Sequence, residues 1–196
     1  VLYALFYLSA CIAYIYYVRA EGGRKRSWYA GVLLLFICSV LAKPVAVTLP
    51  VVLLLIDYFE KSEWTSALFI EKTPHFLIAL TFGIIAVKVQ HGAGAMDMQT
   101  THYNFIERIA LGCYALVTYL WKAVVPAALC NVYAYPQKVN GALPFVYYLY
   151  PTSVIAIGAL IWRYARKSRV AVFGILFFLV NIALQLQFIQ VVASIL

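Results

Sequence analysis

Apolar residues along this chain come in long runs separated by short polar stretches, and they do not alternate with polar ones. The runs approach the roughly 20 residues that an α-helix needs to cross a bilayer, whereas barrel strands would be about ten residues long and alternate. They cover positions 1–18, 28–59, 76–89, 109–125, 145–162 and 170–196. The pattern predicts an all-α, polytopic bundle of membrane helices that forms a single transmembrane domain over residues 1–196.

Composition and charge strengthen this prediction. Hydrophobic residues make up 65% of the chain and charged residues 11%, with a mean hydropathy of +0.90, whereas soluble domains carry about 25% charged residues. The formal net charge is +8, but the basic residues concentrate in two loops, 19–27 and 163–169. Such loops orient membrane proteins with their basic side inward, so we expect both loops to be cytoplasmic and expect no nucleic-acid partner. The chain opens without methionine and ends inside an apolar run, so we expect a fragment of a longer protein.

The second apolar run contains a charged break, in the stretch LAKPVAVTLPVVLLLIDYF from Leu41 to Phe59. Proline lacks a backbone donor and disfavours helix at the residue before it, so Lys43 should be non-helical and Pro44 should begin a new helix. The run 28–59 is then either one broken helix or a hairpin of two short helices. Two cytoplasmic loops require an even number of crossings between them, and our preferred solution combines the hairpin with a re-entrant or interfacial segment 109–125.

The break also suggests chemistry. A lysine beside the free N–H groups at a helix start can bind an anion, so we predict that Lys43, with the amides of Val45 and Ala46, faces a lipid phosphate. The alternative is that Lys43 only snorkels to headgroups from a kinked helix. Thr48 should satisfy a carbonyl that the kink frees, and Asp57 should be an interfacial charge.

We also make predictions for the polar stretch 60–72, for two acidic residues and for the cysteines. The stretch 60–72 should be a short helix lying in the interface, with Ser62 as its N-cap, separate from the crossing at 76–89. Asp97 and Glu107 should be solvated charges of an outer loop. The four cysteines form no C-x-x-C pair, so they indicate neither a zinc site nor a disulfide framework.

Four stretches in order along the chain resemble a known family. LAKPVAVTLPVVLLLIDYF resembles the lysine-proline, threonine-leucine-proline and aspartate-tyrosine pattern of the membrane domain in transmembrane-and-tetratricopeptide-repeat proteins, which are O-mannosyltransferase-like members of the GT-C glycosyltransferase class. The other three are FIEKTPHFLIAL (69–80), YLWKAVVPAALCNVYAYP (119–136) and FFLVNIALQLQFIQV (177–191). The resemblance covers nearly the whole chain and includes bacterial relatives.

The resemblance implies a GT-C-like fold and a glycosyltransferase that acts on the periplasmic or lumenal side. The sugar would pass from a polyprenyl-phosphate donor to a hydroxyl acceptor on a protein or glycan. The acidic residue that activates the acceptor or holds a divalent metal would lie upstream of Val1, so no catalytic residue, metal ligand or cofactor is assigned. The repeat domain would lie downstream of Leu196.

Site roles also follow from the resemblance. Lys43, Lys122 and Arg108 would bind the lipid phosphate, and Thr48, Tyr133 and Tyr135 would line the substrate groove. The expected location is a membrane, the bacterial cytoplasmic membrane in preference to the endoplasmic reticulum, with lipids and the lipid-linked sugar as partners. The alternative is a non-catalytic scaffold or accessory subunit that binds partner subunits of a larger membrane complex.

Overall fold

The structure is a computed structural model that describes residues 1–60, 65–92, 103–127, 136, 138, 141–184 and 186. Within those residues every extended regular element is a helix, as the all-α prediction requires. The α-helices are α1 (Leu2–Arg19), α2 (Gly23–Ala42), α3 (Leu49–Phe59), α4 (Ser66–Gly92), α5 (Phe105–Val124), α6 (Tyr150–Ala165) and α7 (Arg169–Ala183). Two 3-10 helices, Pro44–Thr48 and Phe145–Leu149, precede α3 and α6.

Four helical segments are long and apolar enough to cross a membrane. They are Leu2–Arg19, Gly23–Ala42, Leu68–Val89 and Phe145–Ala165, and shorter apolar helices lie at Pro44–Phe59 and Arg169–Ala183. The prediction of membrane-spanning helices is therefore supported at this level. Helix α5 is not among the four described helices that meet this criterion of length and hydropathy.

The separate interfacial helix predicted at 60–72 is wrong. The described part of that stretch from Ser66 onward belongs to α4, which continues for 27 residues to Gly92. Pro74 lies inside this helix, where a proline bends a helix without necessarily ending it. Two of the charged residues that suggested an interface, Glu71 and Lys72, therefore lie in the first turns of a long apolar helix. Ser62 lies outside the described residues.

The chain divides into two compact units. Unit 1 comprises Val1–Val89 and Arg169–Asn181, and unit 2 comprises Gln90–Ser168 and Ile182–Leu196. In unit 1, α1 and α2 run antiparallel. The Ser39 hydroxyl donates to the Tyr3 carbonyl at 3.0 Å near one end, while the rings of Tyr16 and Trp28 stack with centroids 5.0 Å apart near the other.

The chain reverses direction between α2 and α3. Tyr7 and Tyr14, in order along α1, meet Thr48, at the end of the 3-10 helix, and Asp57, near the end of α3, with oxygen–oxygen distances of 3.1 Å and 2.7 Å. Helix α3 therefore runs parallel to α1 and antiparallel to α2. The hairpin interpretation of 28–59 is confirmed, because a single broken helix would not bring residue 57 back beside residue 14.

The two ends of unit 1 differ in what they contain. We name the end with Arg19, the start of α2 and Phe59 the Arg19 end, and the end with Tyr3 and the hairpin turn the Lys43 end. Helix α4 leaves the Arg19 end, where the Tyr29 hydroxyl donates to the Glu71 carbonyl at 2.7 Å. Helix α7 starts there too, since the rings of Phe59 and Phe173 lie 5.2 Å apart.

The core of unit 1 is apolar through its middle. Four fully buried side chains come from the two arms of the hairpin: Val32 and Phe36 from α2, and Leu49 and Leu53 from α3. Residues of α4 and α7 pack against this cluster, including Ile78, Phe82 and Phe177. Burial of such side chains is worth about 1.5–3 kcal/mol each in water, and in a bilayer the same close packing acts mainly through dispersion.

Unit 2 is built around α5 and α6. The ring of Tyr114 on α5 meets the rings of Tyr147 and Tyr150 edge to face, with centroids 5.2 Å and 5.1 Å apart. These contacts join the middle of α5 to the start of α6. Edge-to-face pairs of this kind contribute about 0.5–1.5 kcal/mol beyond their buried area.

Candidate functional site

Lys43 lies at the break that the sequence predicts. Helix α2 ends at Ala42, and Lys43 is extended, with φ −159° and ψ 125°. Its N–H donates to the Ser39 carbonyl at 3.0 Å, which completes the last turn of α2. The extended backbone before Pro44 follows from the steric effect of the proline ring on the preceding residue.

The Lys43 side chain is exposed, at the Lys43 end of unit 1. Its Nζ lies 5.4 Å from the centroid of the Tyr3 ring, within the range of a cation–π contact. The ion pairs found among the described residues do not include Lys43. The ammonium group of this lysine is therefore exposed on the surface of unit 1, and the Tyr3 ring is its aromatic neighbour.

The prediction that the backbone N–H groups of Val45 and Ala46 are both free is wrong for Ala46. Pro44 begins a 3-10 helix of five residues, and the Ala46 N–H donates to the Lys43 carbonyl at 3.1 Å. The tighter i to i+3 pattern takes up this donor, which an α-helical first turn would leave free. Ala46 therefore contributes no free N–H, which leaves the Lys43 side chain and the Val45 N–H as the predicted anion contacts at the turn.

Thr48 has the role of a backbone partner that the sequence favours. Its side chain is 8% exposed, and its hydroxyl donates to the Val45 carbonyl at 3.3 Å and lies 3.1 Å from the Tyr7 hydroxyl. This satisfies a carbonyl of the 3-10 turn and ties α1 to the hairpin. Its place in a substrate groove stays a prediction.

The other two predicted phosphate-binding cations belong to unit 2. Arg108 and Lys122 lie near opposite ends of α5, and 14 residues of α-helix span about 21 Å. The Arg108 Nε donates to the Tyr103 carbonyl at 3.2 Å. The two are therefore too far apart for both to bind one phosphate group, while Tyr133 and Tyr135 lie outside the described residues.

A buried ion pair that the sequence did not reveal joins α3 to α4. The Lys72 Nζ lies 2.8 Å from Asp57 Oδ2, and the two side chains are only 1% and 3% exposed. The Tyr14 hydroxyl donates to Asp57 Oδ1 at 2.7 Å, and the Lys72 Nζ also lies 5.1 Å above the Tyr14 ring. Both charges are thus compensated by neighbours from three helices, as burial of charge requires.

Asp57 was expected to be an interfacial charge, and this expectation is wrong. The residue lies near the end of an apolar helix, which suggested exposure to headgroups. Instead Lys72, the seventh residue of α4, reaches back to it across the connection between the helices. A signal was available in the sequence, because an acid in an apolar run normally requires a cationic partner.

Two further polar residues, Glu71 and His75, lie beside this pair on α4. Glu71 Oε1 lies 3.4 Å from Lys72 Nζ, and 30% of the Glu71 side chain remains exposed. His75, one turn further along α4, is fully buried, with its ring edge-on to Tyr29 at 5.5 Å and roughly parallel to Phe36 at 6.2 Å. Among the described residues neither ring nitrogen of His75 has a hydrogen-bond partner.

Glu107 is a second acid that the sequence placed in solvent and the structure places in a protein contact. Its Oε2 accepts the Asn104 N–H at 2.6 Å, which caps α5, and lies 2.8 Å from the Lys138 Nζ. Burial by itself raises the pKa of Glu107, but the Lys138 ammonium and the backbone N–H groups of Asn104 and Leu143 outweigh it and leave the pKa below its usual value. The prediction of a solvated loop charge is therefore wrong, while Asp97 lies outside the described residues.

Comparison of the chain with protein-family models, with curated proteins and with solved structures found no match. Among the described residues no group of three histidine, cysteine or acidic side chains could hold a metal ion. Two charged features of unit 1 are candidates for function. Lys43 offers an exposed cation at the Lys43 end, and the Asp57–Lys72 pair with its neighbours forms a buried ionisable cluster near the Arg19 end.

Proposed function

We propose that this chain is the membrane domain of a glycosyltransferase that uses a polyprenyl-phosphate sugar, with Lys43 as the cation that binds the lipid phosphate. The observation that carries the proposal is the state of Lys43. It is exposed, it lies at a helix break, and the ion pairs of the described residues leave its charge uncompensated by any carboxylate. A lipid phosphate would supply the missing negative charge.

The positions of the basic residues support this assignment. Arg19 and the basic first turn of α2 lie at the Arg19 end, and α7 starts with Arg169 at that same end. By the positive-inside rule this end faces the cytoplasm. Lys43 then lies toward the outer leaflet, on the periplasmic or lumenal side, where enzymes of this class take their lipid-linked donor.

The chemical role of Lys43 follows from charge development. As the bond between the sugar and the phosphate breaks, negative charge grows on the departing phosphate, so a fixed cation stabilises the transition state more than the ground state. The hydroxyl acceptor, on a protein or glycan, also needs a base, a role that the proposal gives to none of the residues of this chain. Arg108 and Lys122 remain candidates for contacts with other parts of the lipid-linked donor.

The test is sugar transfer from a polyprenyl-phosphate donor by the full-length protein, compared between wild type, Lys43→Ala and Lys88→Ala. Lys88 is an exposed lysine near the C-terminal end of α4, far along that helix from the Arg19 end, so its variant removes a comparable charge without touching the break. We expect Lys43→Ala to reduce turnover about 10²- to 10³-fold, the usual effect of removing one group that stabilises transition-state charge. Lys88→Ala should retain wild-type turnover, and unchanged turnover in Lys43→Ala would refute the role of Lys43.

A non-catalytic scaffold is the second candidate function. It is favoured by the Asp57–Lys72 pair, because this buried charge contact is complete within the chain and joins helices without facing a ligand. The scaffold predicts that wild-type protein transfers no sugar, and that the chain is recovered with partner subunits of a membrane complex. The same transfer assay, run first on wild type, therefore distinguishes the two functions.

A further inference from the structure

The cluster near the Arg19 end contains more acid than base. It consists of the carboxylates of Asp57 and Glu71, the ammonium of Lys72 and the imidazole of His75. With a neutral imidazole the cluster carries one net negative charge. One additional proton on His75 would bring the charge of the cluster to zero.

His75 is placed to accept that proton. Its ring is fully buried between the rings of Tyr29 and Phe36, and neither nitrogen is used in a hydrogen bond among the described residues. Structural histidines in a core normally have at least one nitrogen hydrogen-bonded, since an unpaired buried polar group is costly. Packing between two aromatic rings would be satisfied equally well by phenylalanine. Packing alone therefore does not explain why a histidine occupies position 75.

We propose that His75, together with Asp57, Lys72 and Glu71, forms a proton-binding site that couples acidification at the Arg19 end to the contact between α3 and α4. Histidine, aspartate and glutamate in membrane helices are the groups from which proton sites and relays are built. This inference does not depend on the proposed sugar transfer, because it concerns the opposite end of unit 1 from Lys43.

The charged and titratable groups around His75 set the consequence of protonation. Tyr14 and Tyr17 come from α1, Tyr29 from α2, Asp57 from α3, and Lys72 and Glu71 from α4 itself. An imidazolium would place a second positive charge one helical turn from the Lys72 ammonium. The two cations would then compete for the same carboxylates, which weakens the hold of Lys72 on Asp57.

A route for the proton is present in the same side chains. Glu71 is partly exposed, and its Oε1 lies 3.4 Å from Lys72 Nζ. Its carboxylate is thus the member of the cluster that reaches solvent or headgroups. In the proposed step a proton from solvent binds first to the Glu71 carboxylate as an O–H group. It then passes to a ring nitrogen of His75, where the O–H bond breaks and an N–H bond forms.

The first experiment observes the proton directly. The chain has three histidines, so a His91→Gln/His102→Gln variant carries His75 as the one histidine of this chain that labelled-histidine NMR can report. In detergent or nanodiscs, we expect reversible titration of the His75 ring between about pH 8 and about pH 4, the range over which histidines in folded proteins titrate. A ring that stays in one protonation state across this range would overturn the proposal.

The second experiment tests the coupling. Hydrogen exchange of the peptides that cover α3 and the start of α4 should rise at least about fivefold on acidification, after correction for intrinsic exchange, because coupling energies of this kind begin near that factor. His75→Phe keeps an aromatic ring between Tyr29 and Phe36 and should abolish the rise. An identical pH response in wild type and His75→Phe would show that other groups cause it, and would refute the coupling.

Discussion

Two lysines of unit 1 lie in opposite settings, and comparing them shows which charges a membrane fold uses for its own assembly. Lys72 is 1% exposed and bound to Asp57 at 2.8 Å, whereas Lys43 is exposed above the Tyr3 ring. Both lie next to apolar helices in sequence. A charge that the fold has paired internally contributes to stability, while one left facing outward is available for a ligand.

The largest expected effect is on the buried pair. Lys72→Met or Asp57→Leu alone leaves an uncompensated buried charge, and we expect each to lower the free energy of unfolding by about 3–5 kcal/mol. The Asp57→Leu/Lys72→Met double variant removes both charges and should recover most of the loss. Denaturant titration in detergent measures this, and single variants as stable as wild type would mean that the pair is not formed.

Lys43→Met is the matched control for that experiment. It replaces a lysine of the same unit by the same residue, but at an exposed position without a carboxylate partner among the described ion pairs. We expect a change in the free energy of unfolding within about 0.5 kcal/mol, the usual range for surface substitutions. A large loss of stability here would remove the contrast between the two lysines.

The second effect concerns the hydroxyl that shares Asp57. Tyr14→Phe keeps the buried ring above which Lys72 lies but removes the donor to Asp57 Oδ1 at 2.7 Å. Hydrogen bonds to charged groups contribute about 1.5–3 kcal/mol, so we expect a loss in that range. Tyr7→Phe, which loses a neutral partner in Thr48 at 3.1 Å, should cost about 0.5–1.5 kcal/mol, and equal losses would argue against a charged Asp57.

The contrast between the lysines also shows how far sequence reasoning reaches. The hydrophobic runs predicted the helices, and the local sterics of Lys43-Pro44 predicted the break, because both are properties of neighbouring residues. The pairing of Asp57 with Lys72, and of Glu107 with Lys138, depends on how separate elements pack. No local pattern determines such contacts. The sequence analysis placed Asp57 at the interface, and the apolar run around it could indicate only that a cation was needed, not which one.

The third effect belongs to a pair of intermediate exposure. Lys138 and Glu107 are 22% and 6% exposed at the side chain, and their charged atoms are 2.8 Å apart. Glu107→Gln should lower the free energy of unfolding by about 1 kcal/mol at pH 7, the scale of a helix cap and a partly exposed ion pair. The backbone N–H of Asn104 can still donate to the side-chain oxygen of the new glutamine, which limits the loss of unfolding free energy.

The pH dependence of this pair has a definite sign. Because the pKa of Glu107 is lower in the folded protein than its usual value, its stabilising contribution is fully present above that usual value. It is lost as the pH falls through the lower folded pKa. The difference in unfolding free energy between wild type and Glu107→Gln should therefore shrink on going from pH 7 to about pH 3, and a difference that grows would contradict the lowered pKa.

The smallest effect is expected at the exposed pair of the Arg19 end. Arg19 donates two hydrogen bonds to Glu60, at 2.7 Å and 3.2 Å, but its side chain is 65% exposed. Arg19→Gln should leave the unfolding midpoint unchanged at physiological salt. Salt screens an exposed ion pair, and the pair also costs the conformational entropy of two long side chains. Raising the salt concentration should shift the unfolding midpoints of wild type and Arg19→Gln by the same amount. The loss of unfolding free energy caused by Lys72→Met should persist at high salt. If salt removed the Lys72→Met defect as well, solvent ions would reach Asp57, and the distinction between a charge used for assembly and a charge left at the surface would fail at this end of unit 1.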